Sequence, residues 1–140
     1  MELSSSEALK PATSYTNVRD DGSVYLEGSK CRACGTRFIG ARENCARCGA
    51  RGFMEHYALS EHGRLYNYTI VYRSYPGISV PFISAIVDLD DGTSVKGNLL
   101  GVEPDVKALT FGMPVKMVFR PADTASAEAA GFVAHFFIPA

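Results

Sequence analysis

With 140 residues, 46% of them apolar and 21% charged, and a net charge of −1, the chain has the composition of an ordinary globular protein with room for one sizeable core. Wholesale disorder is excluded, no run of about 18 apolar residues offers a membrane helix, and a near-neutral balance argues against a dedicated duplex-DNA binder.

Residues 1–20 are polar, carry a capping box in Ser4 and Glu7, and read as a loosely held arm reaching to residue 22. They lack the apolar core of a secretory signal, which points to a cytoplasmic setting. A turn at Asp21 and Gly22 precedes an alternating strand at 23–27.

That strand leads into residues 30–51, which hold all four cysteines: Cys31 and Cys34, then Cys45 and Cys48, as two CxxC knuckles ten residues apart. A CxxC turn brings two thiolates to one side of a loop, and two facing turns supply the tetrahedral sulfur set that zinc prefers. Gly35 and Gly49 follow the second cysteine of each pair, where positive φ lets a knuckle close. Two disulfides would need an oxidising compartment, and a redox CxxC would sit beside a βαβ pattern that is absent. Iron suits the same ligands, but a closed four-thiolate site is more commonly structural zinc. The segment is also a basic island: Lys30, Arg32, Arg37, Arg42, Arg47 and Arg51 against Glu43 give +5, so the rest of the chain sums to −6. Part of this excess offsets the −2 charge of a four-thiolate zinc site, and the remainder is either solvated or available to phosphates or an acidic partner.

Beyond the knuckles the periodicity is that of sheet. Phe38 and Ile39 form a small apolar floor. Residues 52–59 lead through a turn at His62 and Gly63 into a strand at 64–73, with Tyr66, Tyr68, Ile70 and Tyr72 on one face. Residues 74–81 form a proline-containing loop carrying Tyr75. Strands follow at 82–90 and 93–100, joined at Asp91 and Gly92. A short helix is expected at 103–109, entered at Pro104, then a strand at 112–120 with Val115, Met117 and Phe119 inward and Lys116 and Arg120 outward. Residues 121–130 read as a mobile loop before a last strand at 131–138. The pattern is mainly β: a rubredoxin-like zinc ribbon at 23–51, largely independent, followed by an OB-fold Greek-key barrel at 52–140.

The two knuckles, G-x-L-Y-N-Y-T-I-V at 63–71, P-F-I-S-A-I-V-D-L-D-D-G at 81–92, G-N-L-L-G at 97–101 and G-M-P-V-K at 112–116, in this order, resemble the zinc-ribbon and OB-fold family known as domain of unknown function thirty-five. The resemblance implies an accessory subunit that is not an enzyme on its own. Members of that family assemble with thiolase-fold enzymes acting on acyl-CoA thioesters, such as benzoylsuccinyl-CoA thiolase, and some join a hot-dog hydratase. It further implies docking through the OB-fold, and a ribbon near the CoA entrance.

On this reading the metal ligands are Cys31, Cys34, Cys45 and Cys48. Arg37, Arg42 and Arg47 are candidates for coenzyme A phosphates, where a planar guanidinium suits bidentate contact. Tyr66, Tyr68, Tyr72 and Tyr75 are candidates for the partner interface, a thiolase dimer being the natural partner. No residue is assigned to catalysis, because every cysteine is committed to metal and His56, His62 and His135 stand apart from one another, with no acid or nucleophile at a recognisable catalytic spacing. A single-stranded nucleic-acid binder would stack bases on the same tyrosines, but residues 52–140 hold more acids than cations and lack the basic groove it needs.

Overall fold

The computed structural model describes residues 10–121 and 132–140. The capping box at Ser4 and Glu7 and most of the loop expected at 121–130 lie outside the described residues.

Among the described residues ten strands form two sheets. In chain order they are β1 (Lys10–Pro11), β2 (Thr16–Val18), β3 (Val24–Cys31), β4 (Arg37–Ile39) and β5 (Met54–Ala58). Then come β6 (His62–Val71), β7 (Phe82–Leu89), β8 (Ser94–Leu99), β9 (Pro114–Pro121) and β10 (Phe132–Pro139). The last five close on themselves in the order β10, β8, β7, β6, β9, with β9 pairing back to β10. All these pairings are antiparallel except β8 with β10, which is parallel, so the last strand returns beside the third as in an OB-fold.

Alternation along these strands builds the core. Ile83, Ala85, Val87 and Leu89 of β7 point inward with Val95 and Leu99 of β8, Val115 and Met117 of β9, and Phe137 of β10, all nearly or fully buried. Phe119 packs against them, while Lys116 and Arg120 are exposed, as the period-two pattern predicts. Gly63 of β6 is squeezed between its neighbours: a Cβ there would meet the Asp88 carbonyl oxygen and lie 2.9 Å from Leu89 Cα. Backbone on a central strand cannot yield as a side chain would. Gly63→Ala is therefore expected to destabilise the chain by about 1–3 kcal/mol, read as a lower urea midpoint.

The ribbon sheet hangs on β3. β2 and β4 pair along one edge of it and β5 along the other. This corrects the reading of residues 52–59 as one arm of a hairpin turning at His62 and Gly63. β5 pairs with β3 from Glu27↔Ala58 to Cys31↔Met54, and His62 and Gly63 lie within β6. Nor is the ribbon largely independent. Leu26, Leu59 and the barrel residues form one hydrophobic cluster, with Tyr57 and Ile39 packed against it. The Leu59 N–H donates to the Leu26 carbonyl at 2.8 Å, the Tyr57 and Thr93 hydroxyls lie 3.2 Å apart, and the Asp91 carboxylate accepts from the Ser60 N–H at 2.9 Å. Burying Leu26 and Leu59 is worth about 1.5–3 kcal/mol each, enough to hold the ribbon to the barrel.

Two further expectations change. The arm is not loose over residues 10–18, where β1 runs parallel to β10 and β2 antiparallel to β3, pairings that composition does not reveal. The helix at 103–109 shrinks to a 3₁₀ turn at Val106–Ala108, capped by the Asp105 carboxylate accepting from the Lys107 N–H. Seven residues with only Leu109 buried cannot offset the cost of nucleating an α-helix.

Candidate metal centre

The two knuckles have the same backbone wiring. Cys31 N–H donates to the Thr36 carbonyl at 2.9 Å and Gly35 N–H to the Cys31 carbonyl at 2.8 Å. In the second, Cys45 N–H donates to the Ala50 carbonyl and Gly49 N–H to the Cys45 carbonyl, both at 3.0 Å. Gly35 and Gly49 adopt φ of 80° and 77°, so the glycine after each CxxC supplies the left-handed residue the turn requires. β3 delivers Cys31 from a fully buried position, and the Asn44↔Arg51 bridge closes the second loop.

The turns face each other so that all four sulfurs lie within 4.8 Å of one another. Cys31 Sγ is 3.7 Å from Cys48 Sγ and Cys34 Sγ is 3.6 Å from Cys45 Sγ. These separations are far too long for disulfides, whose S–S bond is about 2.05 Å. They match the edge of about 3.8 Å for a tetrahedron with metal–sulfur bonds of about 2.3 Å. The four cysteines could therefore hold a metal ion, and their thiolate chemistry suits zinc.

The titration of the sulfurs is uneven. The Thr36 hydroxyl, 3.2 Å away, and the Thr36 backbone pull Cys34 down to about 6. Cys45 is lowered by the N–H groups at Cys48 and Arg47, each 3.4 Å from its sulfur. For Cys48 a backbone hydrogen bond at Ala50 favours the thiolate, but desolvation and the neighbouring sulfurs outweigh it and push the group up to about 11. Like charges this close resist joint ionisation, and a divalent cation among them removes that resistance.

The arginines around this centre lie mostly on aromatic rings. The Arg37 guanidinium sits 5.0 Å from the Tyr57 ring, Arg42 4.6 Å from Phe38 and Arg32 5.6 Å from Phe53, while Arg19 lies 4.1 Å from Tyr25 on the adjoining strand. Arg47 instead donates to the Thr36 hydroxyl at 3.4 Å. Arg37, Arg42 and Arg47 thus each lean on a different residue of the ribbon sheet or its knuckles. The Arg37–Tyr57 and Arg32–Phe53 stacks join residues about twenty positions apart, and nothing in the spacing of the arginines signals them.

The four tyrosines do not form one face. A bulge in β6 makes Tyr66 an extra residue between the pairs Leu65↔Val87 and Asn67↔Ile86. Tyr66 is consequently exposed, whereas Tyr68 turns against the core and lies 5.5 Å from the Phe111 ring. Tyr72 and Tyr75 are exposed beyond the end of β6, Tyr75 at 84%. Tyr66 and Phe111 border a common concavity with Arg64 and Asp90, and Phe111 went unnoticed in the sequence because a lone aromatic before a glycine carries no pattern. Of the three histidines, His135 is buried. Its Nε2 lies 2.6 Å from the Lys96 carbonyl, and burial pushes it below the usual imidazole range. His56 Nδ1 is 3.9 Å from the Glu27 carboxylate.

The comparisons agree with this architecture. Residues 56–120 match the family model described as the ChsH2 C-terminal OB-fold domain. Over 97 residues the chain is 33% identical to a DUF35 domain-containing scaffold protein of Methanothermobacter thermautotrophicus, covering 68% of this chain and 71% of the relative. Over 83 residues it is 34% identical to benzoylsuccinyl-CoA thiolase subunit BbsA of Geobacter metallireducens, covering 59% of this chain and 56% of that subunit. A solved structure, the Ltp2-ChsH2(DUF35) aldolase, superposes with a TM-score of 0.65 over 82% of this chain and 84% of its own at 24% identity, a likeness of fold.

Proposed function

The chain belongs to the DUF35 family, and from that premise we propose that it is a zinc-stabilised accessory subunit of a thiolase-type enzyme acting on CoA thioesters. The observation that carries this reading is the 34% identity to a protein named as a subunit of a CoA-dependent thiolase, joined to a four-sulfur cluster that leaves none of the chain's cysteines for acyl transfer. A thiolase-fold dimer supplies the nucleophile and the acid–base groups, and this chain docks on it through the OB-fold. Zinc fastens Cys31, Cys34, Cys45 and Cys48, keeps no open position and serves as scaffold.

Within that assembly Arg37, Arg42 and Arg47 provide the cationic surface for the phosphates of coenzyme A. A guanidinium stacked on a ring keeps its outward N–H groups while losing little freedom on binding, which favours phosphate contact. Tyr66, Tyr72 and Tyr75, exposed on the barrel, contact the partner, with the exposed Phe111 beside Tyr66 adding to that surface. The domain roles follow as a ribbon sheet from β2 to β5 and an OB-fold from β6 onward, with β1 laid along β10, in a cytoplasmic enzyme.

The test is to capture the tagged chain from its source cells and identify co-purifying proteins by mass spectrometry. A thiolase-fold protein in near-equal amount is the expected result. A hot-dog hydratase, nucleic acid or the chain by itself would overturn the reading.

A further inference from the structure

β8 and β10 share a single register pair, Leu99 with Phe137, and part company towards Gly97 and His135. At that opening the His135 ring replaces the missing ladder, its Nε2–H donating to the Lys96 carbonyl at 2.6 Å. Gly97 makes room for it: a Cβ there would lie 2.8 Å from Phe137 and 3.1 Å from the His135 ring. Over the opening and the outer face of the barrel runs a groove of about 780 Å³, roofed by the loop from Ser74 to Pro81. Tyr75, Ile78, Phe82 and Phe136 give it apolar walls. Its charged lining consists of Lys96 and Arg120, with no carboxylate, and neither cation is in an ion pair among the described residues.

We propose that this groove binds an amphipathic carboxylate, an apolar chain or ring with one anionic end. Three features select that class. The volume lies within the range of about 300–1,000 Å³ typical of small-molecule sites. Apolar walls favour a hydrocarbon body. Two cations without a counter-charge among the described residues make a local positive field that a carboxylate answers and a neutral ligand does not. The neutral His135 holds the Lys96 backbone in place and adds no competing charge, so it is a positioning residue. This inference does not rest on the thiolase reading, since all the lining residues are this chain's own, and Tyr75 is the one that it shares with the proposed partner surface.

The full chain with its metal in place is titrated with octanoate, followed by amide chemical shifts. Saturable shifts confined to residues around the groove are expected, with octanamide binding about tenfold more weakly. The surface variant carrying Lys96→Gln and Arg120→Gln is expected to lose about tenfold in octanoate affinity with an unchanged amide spectrum elsewhere. Ala134→Trp, whose ring would occupy the groove from β10, is expected to abolish binding. Absence of saturable shifts, shifts centred elsewhere, or equal binding of octanoate and octanamide would overturn the proposal.

Discussion

Cys31→Ser, or removal of the metal by a chelator, is expected to open the ribbon while the barrel keeps its strand ladder. Structural zinc contributes an apparent 10–16 kcal/mol or so to small zinc-finger folds at neutral pH. The ribbon has little to set against such a loss. Its own strands are three to eight residues long, and its apolar anchorage to the barrel rests on Leu26, Leu59, Tyr57 and Ile39. Cys31 is the most enclosed ligand, at 0% exposure, and ends the strand on which β2, β4 and β5 all depend. Hydrogen exchange should show protection lost along β3 to β5 and retained in β7 to β9, with about one zinc per chain falling to none. Acid acts in the same direction, because the ion binds thiolates and protons compete for them. With Cys48 pushed up to about 11, zinc binding at pH 7 must expel its proton, whereas Cys34, already near 6, releases little. Proton release is measurable with an indicator dye. Normal protection of β3 in the metal-free chain would contradict this account.

Phe137→Ala is expected to destabilise the barrel by about 3–5 kcal/mol. Phe137 is the largest fully buried side chain, sitting where β10 returns beside β8 and touching the space left by Gly97. Removing the ring leaves a cavity at the one parallel pairing that closes the barrel, where a single register pair offers little backbone to compensate. The loss should appear as a lower urea midpoint with unchanged slope. Phe111→Ala is a fair contrast, since that ring is 66% exposed and its loss should cost far less.

What the sequence disclosed and what it hid divide along physical lines. The four-cysteine cluster was legible because a CxxC turn is local: the spacing of four residues and the glycine after them determine the loop almost by themselves. The barrel strands were legible because alternation at Val115, Met117 and Phe119, or at Ile83, Ala85 and Val87, states which side faces the core. Long-range choices were not. Residues 52–59 are compatible with either sheet, and only the fit of Tyr57 and Leu59 beside Gly28 decides for β3, as a Cβ at Gly28 would strike Leu59. The bulge at Tyr66 left no mark in the alternating run from Leu65 to Val71, yet it separates Tyr66 from Tyr68 and dissolves the uniform tyrosine face. The arginine stacks on Tyr57 and Phe53 likewise depend on distant segments meeting, so the charge count shows a basic island but not how these members are held.

The accessory role is tested most directly by turnover of the captured thiolase-fold partner on a β-ketoacyl-CoA thioester, measured with the partner alone, this chain alone and the two recombined. No turnover is expected from this chain, impaired turnover from the partner, and restoration on recombination that fails with the Cys31→Ser chain. Full turnover by the partner alone, or turnover by this chain alone, would contradict it.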